Sequence, residues 1–186
     1  MVFVSLELPL ESERLRLRRF TEADLADFVR YRRQPEVARL QLWDEDYSLK
    51  DAQAFLAAQQ MAKLGQPGSR VQLAIEHKKT NELLGDVFVH TLSDVRQLEI
   101  GYTLALEHQG KGYMSEALTA FLDTWFEDDT HHRVQATTDP RNVGSIRLLE
   151  HLNFRQEAHF VKSMWFKGAW ADDLVFALLR DEWLGR

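Results

Sequence analysis

The stretch Gln109-Gly110-Lys111-Gly112-Tyr113-Met114-Ser115 sets two glycines, one residue apart, directly ahead of an apolar helical stripe. Glycine has no Cβ, so the backbone there can turn tightly and come close to a ligand. The first N–H groups of the following helix lack internal partners and, with the helix dipole, form an anion site. A diphosphate would be held there mainly by main-chain amides, so glycine placement and the helix start matter more than side-chain identity. Taken alone, two such glycines also describe an ordinary turn before a core helix. Two familiar nucleotide loops do not fit. No Gly-x-x-x-x-Gly-Lys-Ser/Thr pattern occurs, and the Gly-x-Gly-x-x-Gly fingerprint lacks its third glycine.

Just upstream, Leu98, Ile100, Tyr102 and Leu104 alternate with Glu99, Gly101 and Thr103, which predicts a strand over Leu98–Leu104. Downstream, Met114, Ala117, Leu118, Phe121, Leu122 and Trp125 recur at helical spacing and predict a helix over Tyr113–Phe126. Arg133–Thr138 reads as a short strand, broken by Asp139-Pro140. Asn142 caps a helix to about Leu152, with Ile146, Leu149 and Leu152 inward. Phe154–Phe166 and Leu174–Leu179 read as closing strands around a turn at Lys167-Gly168.

Towards the N-terminus, Arg14–Arg19 alternates like a half-buried strand. Thr21 caps a helix carrying Leu25, Phe28 and Val29, which Gln34-Pro35 closes. Ser48 caps a second helix with Ala52, Phe55, Leu56 and Gln59. Leu40–Tyr47, between the two, is a loop or a short helix. Val71–Glu76 and Leu84–Thr91 predict a hairpin turning at Lys79–Asn81. The mixture of strands and helices, without repeats or long linkers, implies an α/β fold and one domain over residues 1–186.

Bulk properties narrow the function. With 186 residues, 45% of them apolar, the chain can bury one full core. Cysteine is absent, which excludes a disulfide framework, thiolate zinc sites and a cysteine nucleophile together. A reducing, cytoplasmic setting fits. Met1–Arg14 has no basic region ahead of its short apolar stretch and makes a poor signal peptide. No apolar run approaches the ~20 residues that a membrane span needs. The net charge of −6 argues against nucleic acid as the main ligand, since phosphate binding needs clustered Lys and Arg. Arg14, Arg16, Arg18, Arg19, Arg30, Arg32 and Arg33 crowd the first part of the chain, and Glu127, Asp128 and Asp129 lie later. Both groups read as solvated surface; the sharper alternative is acid that attracts a cationic amine.

The order of strand, glycine loop, helix, short strand and Asn-initiated helix resembles the GNAT acetyltransferase superfamily, whose loop reads Gln/Arg-x-x-Gly-x-Gly/Ala. Gln109 and Gly112 match, and Met114 stands at the last position, on the core stripe of its helix. Further residues resemble the Rim-type (RimJ/RimL) branch, which acetylates protein N-termini. They are Leu98-Glu99-Ile100-Gly101-Tyr102, Gly110 to Ala117, Asn142-x-x-Ser145 with Leu148-Leu149 and Phe154, and Lys167-Gly168-x-Trp170-x-Asp172 with Glu182-Trp183. The opening Arg14-Leu15-Arg16-Leu17-Arg18 and Thr21-x-x-Asp24 match as well, so the likeness spans nearly the whole chain.

That resemblance implies a mixed, mostly antiparallel central sheet flanked by helices, cleft where Leu98–Leu104 and Arg133–Thr138 splay apart. It implies acetyl-CoA as cosubstrate. The pantetheine arm would lie along the freed backbone of Tyr102, Thr103 and Leu104. The diphosphate would meet Gln109, Gly110, Lys111, Gly112, Tyr113, Met114 and Ser115. Acetyl transfer to an amine needs a proton acceptor, a donor to the oxyanion and a proton for the leaving thiolate. Glu99 is the candidate base, through water; a structural strand carboxylate is the alternative. Asn142 and Ser145 share one helix face and match the family's pantetheine contact and thiolate-proton donor. Capping, for Asn142, and a neutral surface position, for Ser145, are the alternatives.

Trp43, Tyr47, Trp165 and Trp170 are candidates to line the acceptor pocket, against core or partner-facing roles. His131 and His132 are adjacent and point apart on an extended chain, and the other histidines show no zinc spacing, so no metal is expected. The Rim-type likeness implies a protein N-terminal amine as acceptor. A small amine (an aminoglycoside, polyamine or amino-acid analogue) is the alternative, and a non-catalytic acyl-CoA sensor a further one. A homodimer stays open.

Overall fold

Residues 6–186 are described by a computed structural model. Met1–Ser5, part of the segment judged for export, lies outside them. Eight strands are present: β1 (Leu10–Glu11), β2 (Leu15–Arg19), β3 (Arg70–His77), β4 (Leu83–Thr91), β5 (Gln97–Leu104), β6 (Arg133–Thr138), β7 (Arg155–Phe166) and β8 (Ala169–Leu179). The helices are α1 (Leu25–Arg32), α2 (Pro35–Ala38), α3 (Leu49–Met61), α4 (Tyr113–Glu127), α5 (Val143–His151) and α6 (Arg180–Leu184). The strands form one sheet in the order β1-β2-β3-β4-β5-β6-β8-β7. Every neighbouring pair is antiparallel except β5–β6.

Strand alternation places a different core on each face of the sheet. Leu98, Ile100 and Leu104 of β5 join Phe121, Leu122 and Trp125 of α4 and Leu149 of α5 in one cluster. On the other face, Ala74 and Leu83 join Phe20, Leu25, Phe28, Tyr31 and Leu56. No helix is long and apolar enough, among the described residues, to cross a membrane.

Local signals act largely as expected. Ser48 caps α3, accepting from Asp51 N at 3.2 Å while Asp51 Oδ2 accepts from Ser48 N at 2.8 Å. Asn142 caps α5, its Oδ1 accepting from Ser145 N at 3.1 Å. Several elements differ from expectation. β1 and α6 were not expected, and Thr21 caps a 3-10 turn over Glu22–Asp24 that leads into α1, whose own N-cap is Asp24. Pro35 does not simply close α1: it opens α2, at a first-turn position where a missing N–H costs nothing. The last strand begins at Ala169, immediately after a turn in which Lys167 and Gly168 both have positive φ (46° and 85°). Such a turn matches the right-handed strand twist and lets pairing start at once.

One glycine is demanded by strand packing. A Cβ on Gly85 would lie 2.1 Å from the Thr103 carbonyl oxygen and 2.8 Å from Leu104 Cα, so β4 and β5 could not keep their present spacing. Gly85→Ala is therefore expected to lower stability by about 1–3 kcal/mol, the cost of overpacking. Chemical denaturation of the two proteins checks this.

Candidate active site

The sheet opens in its middle. β5 and β6 pair only through Gln97, Glu99 and the intervening Leu98, opposite Arg133 to Gln135. Beyond Glu99 both strands continue with their other neighbours but not with each other. Strand groups alternate in direction. Since Ala105 N–H donates to Leu84 O in β4, the N–H and C=O groups of Leu104 and Tyr102 turn the other way, into the gap. Gln109 Nε2 donates to Leu104 O at 3.1 Å and takes up that carbonyl.

The gap continues into a cleft of about 640 Å³. Its lining includes Tyr102, Thr103 and Leu104 from β5, Gln109, Gly110, Gly112, Tyr113, Met114 and Ser115 from the loop and α4, and Asn142 and Ser145 at the start of α5. Eleven of the twelve residues expected to meet the cosubstrate thus come together. Lys111 is apart: it is exposed, and its carbonyl accepts from Arg14 Nη1 at 3.2 Å. The wall formed by Glu36, Val37, Arg39, Leu40 and Gln41 around the end of α2, and the cations Arg141, just before α5, and Arg147 on it, were not foreseen. Nothing in the periodicity of α2 marks it as a wall, whereas Arg147, two residues beyond Ser145, had a motif beside it.

The glycine loop has the geometry of an anion site. Gly110 and Gly112 hold φ of 72° and 77°, the left-handed region that favours glycine. Gly112 is the N-cap of α4 and no side chain caps that end. The first intrahelical bond is Glu116 N to Gly112 O, so the amides from Tyr113 to Ser115 have no helical partner. With α5 also starting at the cleft, two helix dipoles aim positive ends at one space. Met114 packs in the core as its stripe position implies.

A latch from the first strands holds this loop. Glu116 accepts from Ser12 Oγ and Arg14 N, both at 2.7 Å, and from Arg14 Nε at 2.6 Å. Burial alone would raise the Glu116 pKa; the hydrogen bonds from Ser12 and Arg14 outweigh it and lower it. The Arg14 guanidinium lies 4.5 Å from the centre of the Tyr113 ring. An L-residue at the left-handed Gly112 costs roughly 1–2 kcal/mol; a valine there relaxes the loop in the free protein, and restoring it on binding is expected to weaken coenzyme A affinity about tenfold in Gly112→Val. Calorimetry against wild type reads it.

Hydroxyl chemistry sits beside the gap. Tyr102 Oη and Ser145 Oγ are 2.7 Å apart. Burial pushes the Tyr102 pKa up to about 12, against the opposing hydrogen bond from Ser145, so the phenol keeps its proton. The sequence placed Tyr102 in the site for its backbone; its side chain is a second contribution that a strand pattern does not announce.

Glu99 lies on the other face of β5, outside the cleft lining. Thr137 Oγ1 donates to its Oε1 at 3.5 Å, and His90 Nδ1 stands 3.4 Å from its Oε2. Its side chain is 32% exposed and Thr137 is exposed, so this face is open to water.

The four aromatics expected at the acceptor pocket lie outside the cleft lining. Trp43 and Tyr47 enclose the Arg32 guanidinium, at 3.8 and 5.0 Å from its carbon to the ring centres, and Trp43 Nε1 donates to Arg32 O. That packing secures α1 against the following loop. Trp165 and Trp170 face each other across β7–β8 at 5.5 Å and are 62% and 59% exposed. Between them the hairpin tip turns back: Lys167 Nζ donates to Ala38 O and Trp43 O, each at 2.9 Å. No group of three or more His, Asp or Glu that could hold a metal occurs among the described residues.

Comparison with known proteins bears on this geometry. The acetyltransferase (GNAT) domain family matches residues 14–155. An uncharacterized N-acetyltransferase of Bacillus licheniformis is 30% identical over 177 residues, 95% of this chain and 98% of its own. A ribosomal protein uS5-alanine N-acetyltransferase of Escherichia coli (strain K12) is 34% identical over 84 residues, 45% of this chain and 43% of its own. Among solved structures, an acetyltransferase (GNAT family) from Bacillus anthracis superposes with a TM-score of 0.83 at 26% identity, covering 94% of this chain and all of that one.

Proposed function

The chain belongs to the GNAT acetyltransferase family, and on that premise we propose that it passes an acetyl group from acetyl-CoA to the terminal amine of a polypeptide by direct attack in a ternary complex. It is an acetyl-CoA-dependent N-acetyltransferase; the acceptor, the route and the residue roles are our reading.

The observation that carries the reading is the through-sheet gap, with unpartnered helix amides at one end and Glu99 on the opposite face. The diphosphate of acetyl-CoA fits the amides of Gly112 to Ser115, and Arg147 adds positive charge. The pantetheine arm fits the gap, where the Tyr102 and Leu104 N–H groups stand free as an added strand would require. One of these N–H groups, aimed at the thioester oxygen, stabilises the oxyanion as the amine adds. Glu99 takes a proton from the ammonium, directly or through water. As the tetrahedral intermediate collapses, its nitrogen gives up its second proton through water to the departing sulfur, towards which the Tyr102–Ser145 hydroxyl pair donates a hydrogen bond. No cysteine is present to carry the acetyl group, which supports direct transfer.

A polypeptide acceptor is supported by the water-open face around Glu99, which suits an extended chain better than a closed pocket does. The Escherichia coli relative, by its name, acts on an alanine of a ribosomal protein. The direct route is checked by intact mass analysis of the protein mixed with acetyl-CoA alone. The protein is expected to keep its unmodified mass while calorimetry records cosubstrate binding; a stable acetylated protein would contradict the route.

A further inference from the structure

β5 carries a glycine that the fold does not ask for. Gly101 has no positive φ. A Cβ built on it would meet only the Phe88 side chain, at 3.6 and 3.7 Å, which is ordinary contact. Gly85 on the neighbouring strand is the contrast, since a Cβ there would strike backbone at 2.1 Å. Glycine inside a strand is unfavourable, and where neither bulge nor crowding explains it, it marks a place that another molecule approaches closely.

The position of Gly101 says which molecule. It shares its face with Glu99 by strand alternation, and lies two residues past the point where β5 leaves β6. Its neighbour Tyr102 points to the other face, with its hydroxyl on Ser145. A bare strip of backbone thus lies between the Glu99 carboxylate and the gap, walled on one side by Phe88, which is opposite Gly101 in the register.

We infer that Gly101 is a specificity-determining residue: its missing side chain makes the recess that seats the amine-bearing carbon of the acceptor. The inference rests on the proposed acetyl transfer and narrows its substrate class. A recess the size of a side chain serves an amine on a substituted carbon, such as the α-amine of a peptide whose first residue has a side chain. An amine on an unbranched methylene, as in a polyamine, does not need it. The amine then faces Glu99, and the substituent rests between Gly101 and Phe88.

The test compares wild type, Gly101→Ala and Gly101→Val. Thiol release from acetyl-CoA is followed with a peptide whose first residue is alanine and with spermidine, alongside melting temperature and coenzyme A affinity. The Val variant is expected to lower kcat/KM for the peptide by about tenfold or more, the scale on which added methyl groups are rejected in a fitted site. The Ala variant is expected to fall between. Melting temperature should not drop, coenzyme A affinity should stay within twofold, and any spermidine rate should change less. Equal peptide rates in all three proteins would overturn the inference alone. So would loss of stability or of coenzyme A binding in both variants, because glycine would then be structural. A wild-type protein that binds coenzyme A yet acetylates neither amine would overturn the recess together with the proposed function.

Discussion

Glu99→Gln is expected to lower kcat/KM for the amine by roughly 10²–10⁴-fold near neutral pH, the range of general-base contributions. Gln keeps the shape of Glu and can still accept from Thr137, but it cannot take a proton. A terminal amine has a pKa of about 7.7–8.0, so much of it is protonated at neutral pH and must be relieved of a proton before or during attack. The deficit should therefore shrink as pH rises above the pKa of the acceptor, when solvent has already done the work. Coenzyme A affinity should hold, because Glu99 is not among the residues lining the cleft. A pH–rate profile of both proteins reads the first two effects, and calorimetry with coenzyme A reads the third. A deficit independent of pH would assign Glu99 a structural role.

Tyr102→Phe and Ser145→Ala are each expected to lower kcat by roughly 10–100-fold, somewhat below the general-acid range because one hydroxyl remains in place. The two groups touch, at 2.7 Å, so their losses should not multiply; the double variant should fall short of the product. Their role follows from proton affinity. Tyr102 holds its proton until the pH approaches about 12, whereas an unperturbed cysteine thiol releases its proton near 8.5, so an alkyl thiol is the stronger acid of the two. A phenol of this kind does not give its proton outright to the sulfur. It donates a hydrogen bond while negative charge builds there, with Ser145 as partner. Single-turnover rates of the four proteins, with acetyl-CoA saturating, measure the coupling.

What could be read from the chain follows physical range. β5, the glycine loop and α4 are adjacent in sequence, and strong periods of two and 3.6 residues set their bounds to within a residue or two. The cap residues Ser48 and Asn142 act over three residues and were equally plain. The Arg14–Glu116 latch joins groups 102 residues apart and the Tyr102–Ser145 contact groups 43 apart; neither leaves a local pattern. Trp43 and Tyr47 read as pocket aromatics because their type is informative, but their place around Arg32 is set by tertiary packing. The wall at Glu36 to Gln41 was hidden for a related reason: Pro35 reads as a stop, yet proline is also a favoured first residue of a helix.

Acetyl transfer to an amine is tested most directly by thiol release from acetyl-CoA with the wild-type protein across peptides, aminoglycosides and polyamines. The expected result is saturable release that depends on a primary amine and is fastest with a peptide bearing a free N-terminus. Firm coenzyme A binding with no release above the amine-free rate for any acceptor would contradict it and leave a cosubstrate-binding protein without transfer activity.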